Sequence, residues 1–211
     1  MNLRPYAALA LLLTACGSHN SLSGDVGGRA FPFGDAVFTL VQTTDASGTS
    51  GVSLGGLYVT STPDACAELA NGIFHQDATV LVSELLIDDP AATAPQVVQF
   101  GNGSYAIEDP SVIAAQLDST EPRPVNVGEL VVAQYDSYCQ LPAANHFLAT
   151  SGTLTVANYR TNDSMDVTLD ITLANGDRLR GQLTARYCAY ADVLFSDDPT
   201  GTTTATGQCL P

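Results

Sequence analysis

Met165-Asp166-Val167-Thr168-Leu169-Asp170-Ile171-Thr172-Leu173 alternates without a break. Its odd positions are all apolar and its even positions are all Asp or Thr, the pattern of a strand with one face buried and one face wet. Asp177–Tyr187 keeps the same parity. Leu179, Leu183, Ala185 and Tyr187 are odd, while Arg178, Arg180, Gln182, Thr184 and Arg186 are even. Asn175-Gly176 between the two segments invites a two-residue hairpin turn. That turn pairs Leu173 with Arg178, and a one-residue slip sends every side chain to the wrong face. A three-residue loop, Ala174-Asn175-Gly176, restores the match if Gly176 is left-handed in a G1 bulge. Leu173 then pairs with Asp177, Ile171 with Leu179, Val167 with Leu183 and Met165 with Ala185, and Asp170 meets Arg180 on the wet face.

Upstream, a four-residue turn over Thr161–Ser164 sets Leu154 opposite Ile171 and Val156 opposite Leu169. The result is a three-stranded antiparallel meander. Further strands are expected over Ala36–Thr43, Gly51–Ser61, Thr79–Ile87, Gln96–Phe100, Gly128–Asp136 and Gly152–Arg160, with turn formers between them. One helix is signalled by Thr62-Pro63-Asp64, which offers an N-cap, a first-turn proline and an acid. Asn71-Gly72 gives its stop, and a second helical turn is indicated near Pro110–Leu117. The fold class that follows is all-β: an antiparallel β-sandwich or a partly closed barrel with one short α-helix. Ser196–Gly207 reads as a loop.

The chain of 211 residues carries a formal net charge of -15 and no lysine. It lacks the basic footprint that nucleic acid requires, and it offers nothing to attract anionic headgroups. The N-terminus is different in kind. Arg4 precedes the apolar run Tyr6–Leu13, which is far short of the ~20 residues of a membrane-spanning helix. Leu13-Thr14-Ala15-Cys16 follows. This order resembles the lipobox of bacterial lipoproteins, which implies cleavage before Cys16 and acylation of that cysteine. It divides the chain into a signal peptide over residues 1–15, a lipidated cysteine with a flexible tether over 16–24, and one β-domain over 25–211. The tether reading rests on the small and polar Ser18-His19-Asn20-Ser21-Leu22-Ser23-Gly24. Among Gram-negative lipoproteins, Gly17-Ser18 after the cysteine goes with the outer membrane. Stable anchoring takes more than one acyl chain.

Setting Cys16 aside leaves Cys66, Cys139, Cys188 and Cys209, an even set that reads as two disulfides in an exported chain. Three connectivities are open. The preferred one is Cys66–Cys188 with Cys139–Cys209, because its second bridge ties the Gly/Thr-rich tail back to the body.

The mature chain is also similar to small all-β lipoproteins of high-GC Gram-negative bacteria. The pieces that carry this are Gly27-Gly28-Arg29-Ala30-Phe31, Thr62-Pro63-Asp64-Ala65-Cys66, Ser151-Gly152-Thr153-Leu154-Thr155-Val156 and Leu179-Arg180-Gly181-Gln182-Leu183. The resemblance implies a fold and a location, and it brings no activity with it.

Candidate chemistry is sparse. Gly51-Val52-Ser53-Leu54-Gly55 matches a nucleophile elbow by letters, but the elbow needs a strand before the serine and a helix after it. Here a polar loop precedes and a strand follows, so a glycine-bearing strand start is the preferred reading. His19, His75 and His146, with Asp77 or Asp136, show no spacing that favours a catalytic triad. The acidic pairs Asp88-Asp89, Glu108-Asp109, Asp163 with Asp166, and Asp197-Asp198 raise calcium as a possible partner. Asp-Pro turns explain most of them as well. Tyr58, Tyr105, Tyr135, Tyr138, Tyr159, Tyr187 and Tyr190 suit either a binding groove or strand faces with buried rings. The leading expectation is a non-catalytic envelope lipoprotein, structural or binding, with no cofactor and no metal. Its partners are the membrane, through the acyl chains on Cys16, and an envelope protein or small ligand. The alternative is a barrel whose mouth takes a sugar, peptide or small apolar molecule, and a secreted hydrolase comes third.

Overall fold

The computed structural model describes residues 20–44, 51–88, 100–117, 125–194 and 208–211. In chain order the elements are β1 (Ser21–Ser23), β2 (Asp25–Val26), β3 (Arg29–Ala30), β4 (Asp35–Thr44), β5 (Gly51–Thr60), α1 (Ala65–Asn71), β6 (Ile73–His75) and β7 (Thr79–Asp88). They continue with β8 (Gly103–Glu108), α2 (Pro110–Leu117), β9 (Val125–Gln134), β10 (His146–Arg160), β11 (Ser164–Leu173), β12 (Arg178–Tyr187) and β13 (Gln208–Leu210). Eight strands close a barrel in the order β4-β5-β7-β9-β8-β10-β11-β12, and β12 returns to β4 through a short parallel pairing at Arg186–Val37 and Tyr187–Phe38. Of the two architectures expected, the barrel is the one formed, and closure removes the sheet edges.

The meander β10-β11-β12 stands as its alternation requires. Met165 pairs with Ala185, Val167 with Leu183, Asp170 with Arg180 and Ile171 with Leu179. Leu173 donates its N–H to Asp177, and Gly176 sits at φ 87 in the three-residue loop. Asp170 accepts hydrogen bonds from both Arg178 and Arg180.

The β10–β11 register differs from the expected one by two residues. Leu154 pairs with Leu169 and Val156 with Val167, because the turn spans three residues from Arg160 to Ser164. That turn alone would reverse the faces. An irregularity between Ala157 and Arg160, where Asn158 adopts φ 50, restores them. Asn158 is held by its side-chain bond to Asp166 at 2.7 Å.

Four further expectations are corrected. The strand expected at Gln96–Phe100 falls mostly outside the described residues. Phe100 itself lies outside any strand, and the strand that enters the barrel is β8. Helix α1 begins at Ala65, not after a Thr62 cap, because the Asp35 carboxylate of β4 accepts the Ala65 N–H. Its stop at Gly72, left-handed at φ 62, is as read. Ser21–Ser23, expected within the tether, pairs with Gln182–Arg180 of β12, so the described fold begins at Asn20. The second helical turn is a full helix, α2, whose start is capped by Asp109 through Ser111.

The interior of the barrel is packed by side chains. Phe31, Phe38, Leu57, Leu81, Leu85, Phe100, Tyr105, Ile107, Leu154 and Leu169 are all buried in one cluster. The short β2–β3 hairpin contributes Val26 to it, and Gln134 donates to the Val26 carbonyl at 2.9 Å. Charged residues cover the outside of β11 and β12. Among the described residues, no helix is long and apolar enough to cross a membrane.

A second, smaller cluster lies outside the barrel under α1. It joins Val37, Tyr58, Val80, Ala133 and Tyr135 to Ala65, Cys188 and Ala191. Both disulfides brace it. Cys66 bonds Cys188 and Cys139 bonds Cys209, the preferred connectivity. Through the second bridge, β13 is fixed beside β6 in parallel pairing.

Candidate functional site

Most of the residues singled out for chemistry fall among the described residues. Cys16, His19, Asp89, Asp197 and Asp198 lie outside the described residues. Gly51 to Gly55 runs straight through β5, hydrogen-bonded to β4 on one side and, from Val52, to β7 on the other, so the strand–turn–helix geometry of an elbow is not formed there. Gly55 has a packing reason to be glycine: a Cβ there would fall 2.3 Å from the Phe100 ring.

His75 meets Glu68, with Nε2 2.9 Å from Oε1, and neither Asp77 nor Asp136. Thr62 Oγ1 donates to the other oxygen of Glu68 at 2.8 Å, and Thr60 Oγ1 lies 2.8 Å from Thr62 Oγ1. The order is hydroxyl, carboxylate, imidazole. Nucleophile activation needs the imidazole in the middle, touching the hydroxyl. This chain instead staples α1 and β6 to the end of β5. Burial raises the Tyr58 and Tyr135 hydroxyls, Tyr135 to about 12, and the nearby Glu68 carboxylate adds to both. Both phenols are therefore neutral at physiological pH. His146 is exposed at the end of a short 3-10 turn, Ala143–Asn145.

Three acids of the proposed calcium pairs are engaged by neighbouring side chains. Asp109 caps α2, and the Ser111 bonds hold its carboxyl below the usual range. Asp163 pairs with Arg160. Asp166 accepts from Asn158 and Thr184, which lowers its pKa. Among the described residues, no group of three or more His, Cys, Asp or Glu is placed to hold a metal ion. The tyrosines do not share a groove either. Tyr105 is buried in the barrel, and Tyr58 and Tyr135 belong to the outer cluster. Tyr159 and Tyr187 pack edge-on against Phe38, while Tyr138 and Tyr190 are exposed.

The candidate site is a groove on the outside of the barrel. Strands β9 and β10 pair directly only over Val131–Ala133 and His146–Leu148. Above that, β8 enters between them, pairing with β9 at Ala106–Val127 and Ile107–Gly128 and with β10 from Ser151 to Val156. The bonding of β10 to β11 is interrupted at the same level, where Thr150 is skipped between Ala149 and Ser151. The strands therefore split below the tip of β8. The opening has a volume of about 190 Å³ and is lined by Val82, Glu84, Glu129, Leu130, Val131 and Leu148.

Alternation supplies its chemistry. On β7, Leu81, Leu85 and Ile87 face the core, so Val82 and Glu84 face out; on β9, Leu130 and Val132 face in, so Glu129 and Val131 face out. The register sets Val82 opposite Val131 and Glu84 opposite Glu129. Directly opposed residues have Cβ atoms about 4.5–5.5 Å apart. Leu148 stands at the rim, 44% exposed. The groove is thus an apolar floor beside two facing carboxylates. Neither glutamate stood out in the sequence. The signal was the run of outward apolar residues, Val80, Val82, Leu86, Val127 and Val131, on strands that also fill the core.

Comparison with known protein families, with curated proteins and with solved structures finds no match to this chain.

Proposed function

We propose that this protein is an exported lipoprotein, held to the cell envelope by lipid on Cys16 and displaying a non-catalytic binding barrel, most directly from the outer membrane. The observation that carries the reading is the cysteine account. Four of the five cysteines close into two disulfides, which fit an oxidising compartment outside the cytosol. The fifth is Cys16 of the lipobox. Support also comes from the charge balance, because a lysine-free chain of formal net charge -15 has no electrostatic attraction to anionic lipid. The acyl chains then do the anchoring alone.

Two features favour binding over a purely structural role and over a ligand in the barrel mouth. The barrel interior is filled with side chains, and the outer groove carries both apolar and charged groups. At about 190 Å³ the groove is below the roughly 300 Å³ at which small-molecule pockets begin. It suits one side chain of a protein partner. Cys16→Ser tests the anchor: the variant is expected in the soluble fraction with its barrel intact. A variant that stays in the membrane fraction at the wild-type level refutes lipid anchoring at this residue.

A further inference from the structure

We propose that the Cys139–Cys209 bridge is a thiol-exchange site, and that a dithiol acting on it releases the strand β13 from β6. The inference goes beyond the binding barrel and does not require the lipid anchor. The two bridges differ in their surroundings. Cys188 is 1% exposed, and Cys66 packs with it in the cluster under α1. Cys209 is exposed and Cys139 is half-buried. An exposed disulfide is open to an attacking thiolate and is the labile kind, whereas a buried one resists exchange.

The two ends of the exposed bridge are held unequally. Cys139 sits in a turn that is fixed without the bridge. One carboxylate oxygen of Asp136 accepts the N–H of Tyr138 at 2.8 Å and that of Gln140 at 2.9 Å. The Asp136 carbonyl accepts the Cys139 N–H at 3.0 Å, and Asp136 donates its own N–H to the Gln140 carbonyl at 2.9 Å. These bonds keep Cys139 at φ 54, a left-handed conformation that persists only where its surroundings over-determine it. Cys209 belongs instead to a three-residue strand with no buried residue. Among the described residues β13 pairs with β6 alone. Gln76 donates to the Leu210 carbonyl at 2.8 Å and Gln208 to the Gly72 carbonyl at 2.9 Å. So short a two-stranded pairing is marginal in water by itself. Cleaving the bridge therefore frees β13 and leaves the Cys139 turn in place.

The exchange balances in two steps. A thiolate of the dithiol attacks Sγ of Cys209, the Sγ–Sγ bond breaks, and its electron pair leaves on Cys139 Sγ, which takes a proton from water. The second thiol, deprotonated, attacks the dithiol's own sulfur in the mixed disulfide, and Cys209 leaves as a thiolate and is protonated. The chain is reduced and the dithiol becomes a disulfide. Release leaves the Gly72 carbonyl and the Gln76 N–H without β13, and it removes Cys209 from opposite Phe74, whose ring packs on Tyr135 at 5.4 Å. An unpaired strand edge is a template for another chain. The redox state of this bridge would thus set whether the edge of β6 is offered.

The test is graded reduction of the full chain with dithiothreitol, trapped with iodoacetamide and read by peptide mass and amide exchange. The expected result is alkylation of Cys139 and Cys209 at a dithiol concentration at least tenfold below that needed for Cys66 and Cys188. At that point exchange should quicken at least tenfold at the Gln76 and Gln208 N–H groups, with β5 and β7 unchanged. Three outcomes overturn the proposal: both bridges opening together, Cys66–Cys188 opening first, or Cys139–Cys209 opening while Gln76 and Gln208 stay protected. Cys139→Ser/Cys209→Ser should reproduce the released state without reductant, and a folded double variant that still protects Gln76 and Gln208 overturns it equally. If that variant does not fold, graded reduction of the unaltered chain decides by itself. With 2-mercaptoethanol the mixed disulfide should map to Cys209, and its appearance on Cys139 instead overturns the assigned attack.

Discussion

Gly55→Ala should destabilise the barrel by overpacking a single ring. Gly55 shares its parity with Leu57 and Val59, which point into the core. A Cβ added there falls 2.3 Å from Cε2, 2.6 Å from Cδ2 and 2.7 Å from Cζ of Phe100. One whole edge of the ring is therefore in the way. The ring has little room to retreat, being 4% exposed, stacked on Tyr105 at 5.7 Å and met edge-on by Tyr159 at 5.5 Å. Inserting a methyl group into such packing costs about 1–3 kcal/mol. For a chain of this size each kcal/mol moves Tm by about 2–4 °C, so the fall should be about 2–12 °C. The assay is urea unfolding without reductant, followed by near-ultraviolet circular dichroism. The discriminating variant is Gly55→Ala/Phe100→Leu. Removing the ring should recover part of the loss, with a coupling energy of about 0.5–3 kcal/mol. Additivity of the two single changes to within about 0.5 kcal/mol would refute the reasoning, because Gly55 and Phe100 would then not share the space.

Gly152→Ala should be at least as damaging as a typical strained backbone, about 1–3 kcal/mol, since Gly152 lies at φ 152 and its Cβ would sit 2.5 Å from the Asp170 carbonyl oxygen; a thermal melt at wild-type Tm contradicts this. Cys66→Ala/Cys188→Ala opens a link across 122 residues and should cost about 2–5 kcal/mol in urea unfolding, with α1 losing its hold on the barrel first in amide exchange. Asp166 should make stability fall in acid. Its folded pKa is lowered, chiefly by Asn158 and then by Thr184. Its contribution is therefore full above the unfolded value of about 3.9 and is lost as pH drops through the lower folded value. Asp166→Asn should flatten the pH dependence of the urea midpoint in that range, and an unchanged profile would show that the β10–β11 irregularity does not lean on this carboxylate.

Local patterns in the sequence were enough where geometry is local. The β11–β12 register follows from unbroken parity and a single left-handed glycine, so every pair from Met165–Ala185 to Ile171–Leu179 could be read. The β10–β11 register slipped by two because Asn158 sits in an ordinary-looking run, Val156-Ala157-Asn158-Tyr159, and its bulge depends on Asp166 across the hairpin. The start of α1 was missed for a similar reason: its cap comes from Asp35, thirty residues away along the chain. β8 was hidden because Gly101-Asn102-Gly103-Ser104 reads as a turn, while its partners β9 and β10 supply the reason to extend. The groove was the least legible feature. Glu84 and Glu129 face each other only after β7 and β9 pair, and the opening exists only because β8 stops between two strands.

The most direct test of the account is the mass of the N-terminal peptide from the native protein in its membrane fraction. The account predicts that the chain begins at Cys16, with the sulfur carrying a diacylglycerol group and the other four cysteines linked as Cys66–Cys188 and Cys139–Cys209. An unmodified N-terminus at any other residue would contradict it.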